Sequence, residues 1–275
     1  MDLSIVVASH ANPQGCYLTV FALLQQMQSL GMTYEIIIAA DGGTEYQWEK
    51  LSNVRCLRIQ VGSPQGCRDA GIRAAQAESI LVIEDHVIVS DVKSLLSAHD
   101  SLGGAMTFPS RRGEGTSLFD VYGTTTKWEG SLWFDKTLYI AQNAKPRRVP
   151  QFGHSCFMVS KADYLAVGGY TDLLTGYGGE EPLLCLKFWM MGRTCWQVPS
   201  IWHNHFLSDH GMGGAMLSDQ YQKNFAITKY VLTGNVSSGL QVTLAMRAER
   251  QRIESGPFGG DINKLRAFMQ REGIG

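Results

Sequence analysis

Four short apolar runs alternate with helix-like stretches over residues 1–102, and that alternation leaves few folds open. Residues 4–9, 34–40, 54–60 and 79–84 are rich in β-branched side chains and too short for helices, as buried strands are. Between them, 17–30 carries Leu18, Phe21, Leu24 and Met27 at helical spacing and stops at Gly31. A second helix is predicted over 65–77, and a third from a cap at Asp91 to about Leu102. Strands joined by helices make a parallel sheet covered on both faces. Ligands of such sheets bind at the carboxyl ends of the strands. Three polar clusters fall at those ends: Ser9-His10, Asp41-Gly42-Gly43 and Glu84-Asp85-His86. Turn residues close any strand, so the signal is the convergence of three clusters rather than any one of them.

The pattern breaks over 106–153, where Gly, Ser, Thr, Arg and aromatic residues interleave around strand-like pieces at 117–122 and 131–139. Order returns with a strand at 155–160, a short helix at 161–167, a turn at Gly168-Gly169-Tyr170 and a strand at 194–198. A helix over 180–191 has Pro182 in its first turn and Gly192 past its end, a pair of boundary signals. Residues 211–275 read as one or two helices with a Gly-rich break at 256–260.

Composition removes several classes. The 275 residues are 44% hydrophobic and 18% charged, a globular balance with ample core. Against 24 Lys and Arg stand 25 Asp and Glu, so the chain as a whole is no polyanion binder. The charge is uneven: 1–105 holds six basic and eleven acidic residues, 106–150 seven basic and four acidic. An anionic ligand held by the acidic part needs a metal ion between them. There is no P-loop, no Gly-x-Gly-x-x-Gly after the first strand and no Gly-x-Ser-x-Gly elbow. Asp2 and the short run 5–8 do not make a signal peptide, and no window reaches the roughly 20 apolar residues of a membrane span. The expectation is a soluble cytoplasmic protein. Cys16, Cys56, Cys67, Cys156, Cys185 and Cys195 show no Cys-x-x-Cys spacing and are expected as free thiols.

Three places carry candidate chemistry. Glu84-Asp85-His86 offers carboxylates and an imidazole on one edge, a donor set that suits Mn²⁺ better than Ca²⁺ or Mg²⁺ and leaves Zn²⁺ open. His203-Asn204-His205 follows the strand at 194–198, and its plain reading is a polar loop beside Trp202. His99 and His210 are taken as surface residues. The stretch Gly176-Tyr177-Gly178-Gly179-Glu180-Glu181-Pro182 puts two carboxylates at a helix N-terminus behind glycines that allow close approach of a ligand. The helix dipole favours charged carboxylates there, so either can serve as a general base.

In order along the chain, these stretches resemble the GT-A fold glycosyltransferases, family 2 above all. They are also similar to the polypeptide N-acetylgalactosaminyltransferases and β-1,4-galactosyltransferases. The likeness runs from about residue 3 to about 206. Residues 4–12 resemble the family's opening strand. Residues 35–44 resemble the strand ending in Asp-Asp-Gly-Ser, with Ala40 in place of the first Asp and Asp41 at the position that contacts the base. Residues 66–72 resemble an Ala-Arg-Asn-x-Gly-Ile helix start through Arg68. Glu84-Asp85-His86 stands where the family has Asp-x-Asp or Asp-x-His. Gly168-Gly169-Tyr170 and 176–181 resemble Gly-Gly-Phe/Tyr followed by Trp-Gly-Gly-Glu-Asp/Asn, and Val198-Pro199 with His205 resembles a downstream Val-Pro…His.

The resemblance implies an α/β fold of GT-A (Rossmann-like) type, with a mostly parallel central sheet, flanking helices and a C-terminal helical extension. It divides the chain into a nucleotide-sugar half at 1–105, an acceptor and catalytic half at 106–210, and the extension at 211–275. It implies a metal-dependent enzyme that moves a hexose or N-acetylhexosamine from a UDP-sugar to an acceptor hydroxyl. Ala8, Ser9, His10, Asp41, Arg68, Glu84 and Asp85 would line the nucleotide-sugar. Asp85, His86 and His205 would hold the metal, Mn²⁺ ahead of Mg²⁺, with His205 favoured over His203 by its spacing from Pro199. Glu181 would be the base, as in inverting relatives, and Glu180 would bind the donor sugar. The acceptor is expected at 106–153, where Arg111, Arg112, Lys145, Arg147 and Arg148 supply charge and Trp128, Trp133 and Phe134 can stack. It is either a glycan or a nucleic acid such as a hydroxymethylated base in phage-type DNA. The competing readings are a non-catalytic sugar- or nucleotide-binding module on the same fold and a hydrolase using His203, His205 and His210.

Overall fold

The computed structural model describes residues 1–10, 12–42, 51–112, 121–127, 133–139, 145–153, 155–206 and 219–274, with backbone alone for 111–112, 121–127 and 133–139. Trp128 and His210 lie outside the described residues, as do the side chains of Arg111, Arg112, Trp133 and Phe134.

The strands are β1 (Leu3–His10), β2 (Tyr34–Asp41), β3 (Val54–Ile59), β4 (Ser79–Glu84), β5 (Val87–Val89), β6 (Ala105–Thr107) and β7 (Ser110–Arg112), then β8 (Val121–Lys127), β9 (Trp133–Tyr139), β10 (Arg147–Arg148), β11 (Cys156–Ser160), β12 (Cys195–Gln197) and β13 (His203–His205). The helices are α1 (Pro13–Gln28), α2 (Pro64–Ala74), α3 (Val92–Leu102), α4 (Lys161–Ala166), α5 (Glu180–Met190), α6 (Asp219–Thr233), α7 (Leu244–Glu254) and α8 (Ile262–Arg271).

An eight-stranded sheet runs in the order β10-β12-β6-β11-β4-β1-β2-β3. β1, β2, β3 and β4 are mutually parallel, and β11 enters antiparallel between β4 and β6. The alternating side chains of β1 explain why its run is apolar throughout. Leu3, Ile5 and Val7 join one core with Ile36, Leu81 and α1, while Val6 and Ala8 join another with Ile37, Val82 and α2. α2 lies close on that second face: a Cβ at Gly71 would sit 2.3 Å from Val6 Cγ1. Glycine therefore stands in this helix despite its poor propensity, because any side chain would push α2 off the strand.

The chain order reverses at β1: β2 and β3 lie to one side, β4 to the other. That is a switch point, where a crevice opens at the carboxyl ends of the strands. A second sheet, ordered β5-β13-β7-β8-β9, begins beside it. α1 anchors its first strand, since Thr19 Oγ1 donates to Val87 O (3.0 Å) and Gln26 Nε2 to Val89 O (2.7 Å).

The segment after 211 holds three described helices rather than one or two; the chain also breaks after Gly234, at φ +77°, before a Thr243 cap starts α7. Ile227, Val231, Leu232, Met246, Ile253, Leu265 and Met269 share one apolar cluster with Leu183, Leu186 and Met190 of α5. Lys187, wholly buried on α5, donates to Gly169 O (2.9 Å) and pairs with Glu249 of α7. His99 is buried rather than at the surface, with its Nδ1 3.4 Å from Ser79 Oγ. All six cysteines are free thiols. Among the described residues no helix is long and apolar enough to cross a membrane.

Candidate active site

β4 ends at Glu84, and β5 begins at Val87 after a turn of two residues. β13 pairs antiparallel with β5, placing His205 opposite Val87, and Phe206 N donates to His86 O (3.0 Å). This short pairing brings together side chains 119 residues apart: His86 Nε2 lies 2.9 Å from His205 Nε2, with the rings stacked at 4.8 Å. Glu84 Oε2 lies 3.3 Å from the first nitrogen and 3.2 Å from the second. The stretch expected as a polar loop is thus a strand; His203 and His205 share one side of it, rings 6.4 Å apart, but only His205 joins Glu84 and His86. His203 is buried, with Nε2 3.2 Å from Ser155 Oγ, and burial pushes its imidazole down to about 3.

Among the described residues, the cluster that can hold a metal ion is Glu84, His86 and His205, where the sequence expectation had Asp85 with the two histidines. In the two-residue turn after β4, His86 stays beside Glu84 and His205, and Asp85 turns back to β1. There its carboxylate accepts from Ser9 Oγ (2.5 Å), Asn12 Nδ2 (3.1 Å) and His86 Nδ1 (2.8 Å). The bond to Nδ1 leaves Nε2 of His86 as the free donor atom, the usual second support of a ligating histidine.

Two imidazole nitrogens 2.9 Å apart share either an N–H of one ring or a metal ion that both ligate. Burial works against charge on His86, yet Asp85 and Glu84 raise it to about 9. Burial likewise opposes ionisation of Glu84, but His205, His86 and Arg68 outweigh it and hold the carboxyl well below its usual range. Donor atoms about 2.1 Å from a divalent ion lie roughly 3.0 to 3.4 Å apart at octahedral to tetrahedral angles. The observed separations of 2.9, 3.2 and 3.3 Å fit such an ion.

The other oxygen of Glu84 pairs with Arg68, which is buried on α2. Burial opposes the Arg68 charge, but Tyr170, Glu84, Glu180 and Glu181 around it raise its pKa. Arg68 thus links the metal-type cluster to the two carboxylates at the start of α5. Gly179 caps that helix at φ +82°, a conformation few other residues adopt. Glu180 is buried with Oε2 lacking a partner, and burial raises its pKa. Glu181 is half-buried beside it.

At the end of β2, Asp41 is buried; Oδ1 accepts from Val61 N (3.2 Å), while Oδ2 has no hydrogen-bond partner. His10 lies opposite in register, exposed, with Nδ1 3.5 Å from that oxygen. Ala8 is buried and pairs in register with Glu84. Sequence reasoning missed Asn12, which caps α1 and holds Asp85. Its signal was an Asn directly before Pro13, a helix-start pattern.

No family model matches the sequence, and no curated protein matches it. Solved structures do. The crystal structure of GalNAc-T7 with UDP, GalNAc and Mn²⁺ matches at a TM-score of 0.66 and 16% identity, over 100% of this chain and 55% of that one. S. aureus TarS 1–349 in complex with UDP-GlcNAc matches at 0.56 and 11% identity, over 100% of this chain and 93% of that one. A longer S. aureus TarS chain matches at 0.53 and 12%, over 90% of this chain and 47% of that one. The chain thus spans about half the length of GalNAc-T7 and of the longer TarS. These likenesses show the fold: it is the GT-A fold of glycosyltransferases, and it resembles that of the GalNAc-transferases.

Proposed function

We propose that this chain is a divalent-metal-dependent glycosyltransferase that moves a hexose or N-acetylhexosamine from a UDP-sugar to an acceptor hydroxyl, with inversion. The observation that carries the reading is the Glu84, His86 and His205 cluster at the switch point of the sheet. The unpartnered buried oxygen of Asp41 supports a nucleotide base with a ring N–H, such as uracil, because a buried acceptor seeks a donor. The ligands of the fold's neighbours, UDP with Mn²⁺ and UDP-GlcNAc, support the same donor class.

A divalent ion, Mn²⁺ by the mixed nitrogen and oxygen donors, supplies neutralisation of the leaving diphosphate when bound. His86 and His205 offer their Nε2 atoms and Glu84 a carboxylate oxygen; Asp85 fixes the His86 ring through Nδ1. Arg68 holds the second Glu84 oxygen and adds positive charge beside the donor. Oε2 of Glu180 accepts from a hydroxyl of the donor sugar. Glu181 takes the acceptor proton on a carboxylate oxygen as the acceptor oxygen bonds to the anomeric carbon. The bond from that carbon to the diphosphate oxygen breaks on the opposite face.

Calorimetry of UDP binding tests the ligand set. UDP is expected to bind at least about tenfold more tightly with Mn²⁺ than in EDTA, and Glu84→Gln or His86→Ala should remove most of that gain. Equal UDP affinity with Mn²⁺ and in EDTA would contradict the metal assignment.

A further inference from the structure

The turn at 175–179 presents Glu180 and Glu181 on an irregular backbone. Gly176, Gly178 and Gly179 have φ of +67°, +105° and +82°. Three carbonyls of this turn are taken up by side chains of α6. Asn224 Nδ2 donates to Thr175 O (2.8 Å) and Tyr177 O (3.1 Å), and Thr228 Oγ1 donates to Gly179 O (3.1 Å). Asn224 is wholly buried, and its Oδ1 accepts from Gln220 Nε2 (2.9 Å) and Thr175 N (3.4 Å). Both ends of the amide are thereby used, which fixes its orientation. The fit leaves no slack: a Cβ at Gly178 would lie 2.3 Å from Tyr221 Cδ2, and one at Gly179 2.7 Å from Thr228 Oγ1. The backbone amides of Glu180 and Gly178 favour the charged Glu180 carboxylate, against the burial that raises its pKa.

We propose that α6 is the mould of the catalytic turn, with Asn224 and Thr228 as positioning residues that set Glu180 and Glu181 through the backbone of 175–179. The proposal rests on the roles given above to those two carboxylates. It makes the C-terminal segment part of the transfer machinery rather than a support for the core alone. Thr228 and Asn224 sit one helical turn apart on α6, so a single face of one helix grips the whole turn.

The test uses the full chain with Asn224→Leu, Thr228→Val and Thr228→Ser. Amide hydrogen exchange over 175–181 reads the turn without reference to activity; UDP release from a donor sugar and UDP affinity read the site. Thr228→Val is expected to speed exchange at 175–181 and cut kcat about tenfold, with UDP affinity within about twofold, and Thr228→Ser to restore both. Asn224→Leu should cut kcat about 100-fold, the scale of a misplacement of about 1 Å. Should Asn224→Leu fail to fold, the two Thr228 variants decide the matter. Unchanged exchange at 175–181 in the folded variants, or kcat within twofold of wild type, would overturn the proposal. A wild type that releases no UDP from any UDP-sugar would instead sink the glycosyltransferase reading, and hydrogen exchange would still judge the positioning claim.

Discussion

Glu181→Gln is expected to lower transfer by about 10²- to 10⁴-fold, the usual contribution of a general base, while UDP and Mn²⁺ affinity stay within about twofold. Gln keeps the shape and hydrogen-bonding reach of Glu at the first turn of α5 but cannot take a proton. Glu180→Gln should behave differently. Glu180 is buried with an unpartnered oxygen, and Gln offers a weaker neutral acceptor, or an N–H, to the donor hydroxyl proposed to meet it, so the change should raise KM as well as lower kcat. Steady-state kinetics on both variants separate the roles. Near-normal kcat in Glu181→Gln would move the base elsewhere.

The largest stability effect is expected from Glu249→Ala, about 3 to 5 kcal/mol, because it strands the ammonium of Lys187 in the core. Lys187 is wholly buried, and its remaining partner would be the Gly169 carbonyl. Burial already holds the Lys187 pKa below the ordinary lysine value, against the pull of Glu249. Without Glu249 it falls further. The unfolded chain then binds more protons than the folded one below the ordinary lysine pKa of about 10.4. Stability of the variant should therefore rise with pH toward that value, and the deficit should be worst near neutrality. Urea unfolding across pH checks this. The double variant Lys187→Met with Glu249→Leu should recover most of the loss, since apolar replacement of a buried pair is often neutral. A Glu249→Ala protein as stable as wild type would show that water reaches Lys187.

How much was legible in the sequence follows from how local each cause is. The sheet of β1 to β4 could be read because each of those short runs is bounded by turn residues, and the runs of β1, β2 and β4 are buried on both faces. The GT-A resemblance rested on the same runs and on the polar residues that close them, and the fold agrees with it. The helix from Glu180 was readable from Pro182 and Gly192, though it ends at Met190, one residue early. His205 was harder. Its place depends on a three-residue strand pairing with another three-residue strand over a hundred positions away, and neither has a periodic signature of its own. The grouping of Glu84 with His86 depends on the two-residue turn between β4 and β5, whose conformation the sequence does not spell out, and motif likeness pointed to Asp85. Asn224 and Thr228 left no signal at all. Their partners are carbonyls of an irregular turn 49 residues away, and such contacts exist only once the chain has folded.

The most direct test of the account is UDP release from a panel of UDP-hexoses and UDP-N-acetylhexosamines, with Mn²⁺ and with EDTA, on wild type and His86→Ala. The account predicts slow release from at least one donor, dependent on Mn²⁺ and lost in the variant. No release from any donor, together with no thermal shift on adding UDP and Mn²⁺, would contradict it and leave a GT-A fold without glycosyl transfer.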